Sequence, residues 1–176
     1  MSYFIIIRGS LGVGKTTIAN QLAGILKGEY ISIDDVLEKS NLDKVDEKEG
    51  GIPVKNFIKG NEIVLQKIKQ KLSKGKIVII DGCFYHKKQI EHFIKTLNFS
   101  HFVFTLKAPL EVCIDRDKKR EKVYGMEAAV AVFNMFTKFD YGILIETKNK
   151  SVKETVNEII SHLPNLSNIQ SNNVRW

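Results

Sequence analysis

The chain predicts an α/β fold: a doubly wound sheet of five parallel strands, helices on both faces, and a helical lid. Three observations predict it. Five short apolar runs recur along the 176 residues, and some are apolar at every position, as in Ile77-Val78-Ile79-Ile80. Such runs suit strands that are covered on both faces. Segments with helical spacing separate them. A glycine-rich stretch, Gly9-Ser10-Leu11-Gly12-Val13-Gly14-Lys15-Thr16, joins the first strand to the first helix. Strand–helix alternation with a loop of this kind after the first strand marks a doubly wound parallel sheet.

In chain order, the strands are expected at Tyr3–Arg8, Tyr30–Ile33, Lys76–Asp81, Phe102–Leu106 and Tyr141–Glu146. The first helix is expected over Lys15–Lys27. The second takes its apolar face from Phe57, Ile58, Val64, Leu65, Ile68 and Leu72. Lys87–Leu97 forms the third, with Ile90, Phe93, Ile94 and Leu97 inward. Leu110–Lys122 and Met126–Lys138 form a pair, and Gly125 makes the turn between them. Ser151-Val152-Lys153-Glu154 reads as a capping box that opens the last helix. Asn41–Pro53, dense in charge and glycine, is expected to be a loop or a charged helix end. The domain is expected over residues 1–163, with the lid at about 109–138. Residues 164–176 are expected to form a frayed tail rich in Asn and Ser, from which Trp176 could instead dock on the body.

The loop carries the chemistry. Gly9 to Thr16 is a complete G-x-x-x-x-G-K-[ST] element between a strand's C-terminal end and a helix's N-terminus. Backbone N–H groups and the helix dipole there favour a polyphosphate. The nucleotide-binding set is therefore Gly9, Ser10, Leu11, Gly12, Val13, Gly14, Lys15, Thr16 and Thr17. Lys15 is placed to reach the β- and γ-phosphates of ATP, and the Thr16 hydroxyl to take Mg²⁺.

Three further features complete a phosphoryl-transfer constellation. Asp34 and Asp35 follow the second strand, at the sheet edge that carries the ligand crevice in open α/β folds. A carboxylate there can accept a hydroxyl proton during phosphoryl transfer. Asp34 comes first and is favoured as the base, while Asp35 can cap a helix running from Val36. Asp81 ends the third strand after four apolar residues, a pattern that holds the Mg²⁺ shell beside Thr16; binding the acceptor is its second possible role. Arg116 and Arg120, at i and i+4, are expected on one helix face, where they could close over the transferring phosphoryl group. They are half of the chain's four arginines.

Composition bounds the rest. Hydrophobic residues make up 43% of the chain, and no apolar run approaches the ~20 residues that span a bilayer. A strand is expected at once, and no signal peptide is expected. Cys83 and Cys113 are isolated, which indicates neither a zinc site nor a disulfide framework. A cytoplasmic setting is the expectation. The net charge is +7, but lysine dominates: nucleic-acid readers cluster arginine, whereas scattered lysine fits a solvated surface or an anionic substrate such as ATP. The four histidines have no ligand spacing.

Taken together, Gly9–Thr16, Ile33-Asp34-Asp35, Ile80-Asp81-Gly82 and the Arg116–Arg120 segment resemble the small P-loop kinase group over roughly residues 3 to 160. That group includes polynucleotide kinase, chloramphenicol phosphotransferase, gluconate and shikimate kinases, adenylylsulfate kinase and zeta-toxin-like kinases. Ala108–Asp117 is similar to the segment before the adenylylsulfate kinase lid. Ile33-Asp34-Asp35 resembles the base-carrying element of polynucleotide kinase and chloramphenicol phosphotransferase. The resemblance implies a P-loop NTPase fold, Asp34 as base, Lys15 on the phosphates, Thr16 as magnesium ligand, and Arg116 and Arg120 clamping ATP.

Two departures limit it. Leu37 stands three residues after Asp34, where polynucleotide kinase carries an arginine for its acceptor. Asp34-Asp35-Val36-Leu37-Glu38 also lacks the arginine that follows the acidic element of adenylylsulfate kinase. The ATP half of the reaction therefore transfers, and the acceptor half does not. A small hydroxylated or nucleoside-type acceptor is favoured over nucleic acid. It is expected between the Asp34 edge, the Asp81–Tyr85 segment and the Phe57–Leu72 helix, where Phe84 and Tyr85 could stack on a ring or pack in the core. A polynucleotide 5′-hydroxyl kinase, a nucleoside monophosphate kinase and a non-catalytic nucleotide-binding module remain alternatives. A GTP switch would want N-K-x-D, but Asn149-Lys150-Ser151-Val152 has valine at the acidic position. The chain is too short for a transporter ATPase and lacks its L-S-G-G-Q element.

Overall fold

The computed structural model describes residues 2–164. Five strands form one sheet in the order β2-β3-β1-β4-β5: β1 Phe4–Arg8, β2 Glu29–Ser32, β3 Val78–Gly82, β4 His101–Lys107 and β5 Ile143–Glu146. Every pairing is parallel. The central strands are apolar throughout because consecutive residues serve different layers. Phe4, Ile6, Val78 and Ile80 enter one core, and Ile5, Ile7 and Ile79 enter the other.

The helices are α1 Lys15–Leu26, α2 Ile33–Lys39, α3 Val54–Ser73, α4 Lys87–Leu97, α5 Leu110–Asp117, α6 Met126–Phe136 and α7 Val152–Ser161. Helix α1 packs on α7 on one face, and α3 on α4 on the other. The capping box is present: Ser151 Oγ accepts from the Glu154 N–H at 3.2 Å, and the Glu154 carboxylate accepts from the Ser151 N–H at 2.7 Å. The segment from Asn41 to Pro53 is a loop with a single bridge between Asp46 and Gly51.

Two expectations are corrected. The helix after β2 starts at Ile33 rather than Val36, and its cap is Ser32, whose Oγ accepts from the Asp35 N–H at 3.2 Å. Asp34 and Asp35 thus occupy its first turn, where carboxylates oppose the dipole's positive end. Helix α5 ends at Asp117, not Lys122, so Arg120 does not share a helical face with Arg116. The physical reason is Asp117. It is 2% exposed, and its Oδ2 accepts from the Tyr124 and Gly125 N–H groups, each at 3.0 Å, which turns the chain towards α6. The tail, Trp176 included, lies outside the described residues except for Pro164.

One side chain ties the sheet to the helices. Arg8, at the end of β1, is fully buried. It donates to the carbonyls of Phe84, Phe139 and Phe136 at 3.3, 3.2 and 3.2 Å, and to Thr105 Oγ1 at 3.3 Å. Its guanidinium also stacks on the Phe136 and Phe139 rings, 4.4 and 4.3 Å from their centroids. Burial lowers its pKa to about 10, with Asp140 opposing the shift, so it stays charged. Arg8 thus caps the last carbonyl of α6 and one just beyond it and bonds the carbonyl of Phe84, whose φ of +43° lies in the left-handed region.

Candidate active site

Parallel register brings the acidic positions to one edge. Asp81 lies opposite Ile7 of β1 and Ser32 of β2, directly beside the Gly9–Thr16 loop and the start of α2. The loop's conformation demands glycine at two points. Gly12 has φ +76°, and a Cβ there would come 2.0 Å from the Cys113 carbonyl oxygen; Gly14 has φ +104° and caps α1.

A cavity of about 320 Å³ opens over this loop. It is lined by Leu11 to Thr17, by Asp34 and Asp35, by Arg116, Arg120 and Tyr124, and by Thr147 and Lys150 beyond β5. Ser10 does not line it. Ser10 sits beneath, 1% exposed, with Oγ 3.3 Å from Cys113 Sγ and its carbonyl accepting from Lys15 Nζ at 3.0 Å. Gly9 is buried beneath the loop as well.

Lys15 is 7% exposed. Burial disfavours its ammonium, but negative charge nearby outweighs that and raises its pKa. Cys83 contributes only as a thiolate, and burial pushes the Cys83 thiol up to about 12, so at neutral pH the carboxylates of Asp34 and Asp81 hold the lysine charged. Thr16 Oγ1 donates to Asp81 Oδ2 at 2.9 Å, and Tyr30 Oη donates to Asp81 Oδ1 at 2.9 Å. Asp81 is 1% exposed; burial raises its pKa to about 6, against the pull of Lys15 and with Asp34 adding repulsion.

Asp34 is held from the other side. Its Oδ1 accepts from the Cys83 N–H at 3.2 Å, and its Oδ2 from Cys83 Sγ at 3.5 Å. Arg116 is committed to the scaffold. Nη1 reaches the Val13 carbonyl at 3.2 Å and Thr147 Oγ1 at 3.0 Å, and Nη2 reaches the Thr147 carbonyl at 2.8 Å. Arg120 lies beyond the helix, 3.5 Å from Asp117 Oδ1, with its guanidinium 5.3 Å from the Tyr124 ring centroid. The two arginines line one cavity from different local structures.

A second cavity of about 250 Å³ adjoins the first and shares Leu11, Asp34 and Tyr124 with it. Leu37 and Phe57, the loop at 43–52, Cys83 and Tyr85, and the inner face of α6 enclose it. Tyr85 lines it, with Oη accepting from the Ile52 N–H at 2.8 Å, whereas Phe84 is fully buried in the core. Sequence reasoning singled out Lys15, Thr16, Asp34 and Asp81. It did not find Tyr30 and Cys83, which hold Asp81 and Asp34, Asp117, which holds the turn after α5, or Arg8, which holds the backbone at Phe84, Phe136 and Phe139. A charged residue ending a buried strand was the available signal for Arg8, and a cysteine next to the Asp81-Gly82 pair the signal for Cys83.

Among the described residues, no cluster of three or more His, Cys, Asp or Glu could cage a metal. The Thr16 hydroxyl and Asp81 carboxylate, side by side, are hard oxygen donors. They fit Mg²⁺, which takes few protein ligands and keeps water and phosphate oxygens. No helix among the described residues is long and apolar enough to cross a membrane.

Comparisons with known proteins agree with this architecture. A protein of Thermococcus kodakarensis named "Putative adenylate kinase" is 27% identical over 165 residues, covering 89% of this chain and 83% of its own. A sugar kinase structure from a Janibacter species superposes with a TM-score of 0.77 at 17% identity, covering 96% of this chain and 98% of its own. The tunicamycin resistance protein of Deinococcus radiodurans superposes with a TM-score of 0.67 at 19% identity, covering 93% and 96%. The two structural likenesses are likenesses of fold. The AAA domain family model matches residues 4–138, over three-quarters of the chain, so this protein belongs to that AAA domain family.

Proposed function

We propose that the protein is an ATP-dependent phosphotransferase that moves the γ-phosphoryl group of ATP to an acceptor hydroxyl. One observation carries the reading: Asp34 stands at the junction of two cavities, one over the phosphate-binding loop and one with room for a small acceptor. The N–H groups of the loop and the Lys15 ammonium hold the polyphosphate and offset the charge that spreads over the transferring group. Thr16 and Asp81 would hold Mg²⁺, which supplies further charge neutralisation at the phosphate oxygens. Asp34 accepts the acceptor's hydroxyl proton as the new O–P bond forms and the bond to the bridging oxygen of ADP breaks. Cys83 positions Asp34 by donating to both of its oxygens. Arg116 fixes the loop to the segment after β5, and Arg120, on the turn after α5 and paired with Asp117, is the cation that would swing towards the phosphates on closure.

The test is transfer from γ-labelled ATP across small alcohols, nucleosides and 5′-hydroxyl oligonucleotides. Label should enter an acceptor, and Asp34→Asn should cut kcat by about 10²-fold or more while leaving ATP affinity almost unchanged. Undiminished turnover in that variant would remove Asp34 from the role. A nucleoside monophosphate kinase is the second reading, supported by the name that the Thermococcus kodakarensis protein carries. It predicts ADP formation from AMP.

A further inference from the structure

Resting on the kinase reading, we infer that the acceptor is an unphosphorylated alcohol with an apolar body, neutral or bearing an amine. The walls of the second cavity supply the body's environment: Leu37 and Phe57 on one side, and Ala131, Val132 and Met135 of α6 on the other. The charged groups supply the selection. The whole chain carries 27 Lys and Arg against 20 Asp and Glu, yet this cavity reverses the balance. Asp34, Glu38 and Asp43 line it, with Lys122 as the only cation and no arginine. Lys122 already pairs with Glu38 at 2.6 Å.

A phosphate-bearing acceptor is a dianion. Its recognition wants charge-assisted bonds, best from bidentate guanidinium. Here it would meet carboxylates in a cavity walled largely by apolar side chains, where repulsion is strong. The arginines near the site do not relieve this. Arg8 is fully buried, and its bonds run to carbonyls and Thr105 behind Phe84. Arg116 is bound to Val13 and Thr147, and both Arg116 and Arg120 line the phosphate cavity instead. The phosphate cavity thus carries Lys15, Arg116, Arg120 and Lys150 beside Asp34 and Asp35, whereas the second cavity sets Asp34, Glu38 and Asp43 against Lys122 alone. A second observation agrees. Val45 and Tyr124 stand on this cavity while 66% and 41% exposed, apolar surface that a hydrophobic ligand would cover.

The test uses enzyme saturated with Mg²⁺ and a non-hydrolysable ATP analogue, so that the nucleotide site is filled. Four probes are titrated by calorimetry: 2-phenylethanol, 2-amino-1-phenylethanol, 2-phenylethyl phosphate and AMP. The first two should bind, the amine more tightly than the alcohol, and the two phosphates at least tenfold more weakly. Ala131→Phe, which fills the cavity from α6, should weaken both alcohols at least tenfold, with circular dichroism reporting its fold. Asp43→Asn should reduce the amine's advantage and leave 2-phenylethanol unchanged. Tighter binding of either phosphate, or no binding of either alcohol, would overturn the inference. Conversion of AMP to ADP with γ-labelled ATP would overturn the acceptor class while keeping the kinase reading. ATP binding that is indifferent to Lys15→Ala would instead remove the kinase reading itself.

Discussion

Replacing Asp81 with asparagine should stabilise the protein while disabling it. Asp81 is 1% exposed, and burial raises its pKa from 3.8 to about 6. That gap, at ~1.4 kcal/mol per pH unit, makes ionising Asp81 cost the folded protein about 3 kcal/mol. The sign follows from linkage. Below pH 3.8 the carboxyl is protonated in both states and costs nothing. As pH rises towards about 6, the unfolded chain ionises and the folded one resists, so stability falls; above that the loss is complete. Asparagine mimics the protonated carboxyl: its oxygen can accept from Tyr30, and its amide can face the Thr16 hydroxyl. Urea or thermal unfolding of both proteins should be followed from pH 4 to pH 8 with a chelator and no nucleotide. The variant should match wild type near pH 4 and exceed it by up to about 3 kcal/mol at pH 8, roughly 6–12 °C in melting temperature for a domain of this size. On the proposed function, phosphoryl transfer should fall at the same time, because the carboxylate proposed to hold Mg²⁺ is gone. A stability difference that did not change with pH, or one favouring wild type at pH 8, would refute the reasoning.

Three other outcomes are expected. Lys15→Ala should weaken Mg·ATP binding in a calorimetric titration by at least tenfold while the chain remains folded by circular dichroism. Gly12→Ala forces a Cβ to 2.0 Å from the Cys113 carbonyl at φ +76°, so it should lower both the melting temperature and ATP affinity; unchanged affinity would show that the loop tolerates displacement. Arg8→Met removes a buried cation and leaves the carbonyls of Phe84, Phe136 and Phe139 unpaired, which should cost about 3–5 kcal/mol in urea unfolding.

Much of the fold was legible because each strand's signal is local. Runs such as Phe4-Ile5-Ile6-Ile7 need no partner to be read as doubly covered strands, and the spacing of Ile90, Phe93 and Leu97 located α4 as the structure has it. The two misread helix ends have one cause: a cap or stop made by a side chain whose competing role could not be weighed locally. Ser32 took the cap expected of Asp35. Asp117, in a run of alternating charge that looks solvated, is instead buried and ends α5.

The sequence by itself determined the glycine-rich loop between β1 and α1 and the succession of strands and helices along the chain, and it nominated Lys15, Thr16, Asp34 and Asp81 as site candidates, because each rests on a contiguous motif whose physics is set within a few residues. Only the tertiary structure decided how those groups are charged and held. The raised pKa of Asp81 comes from burial among β1, β2 and β3, the grip on Asp34 from Cys83 some 49 residues away, and the carboxylate-rich second cavity from α2, the loop at 43–52 and α6 converging. Desolvation and long-range contacts are sums over neighbours that packing chooses, and no window of the chain contains them.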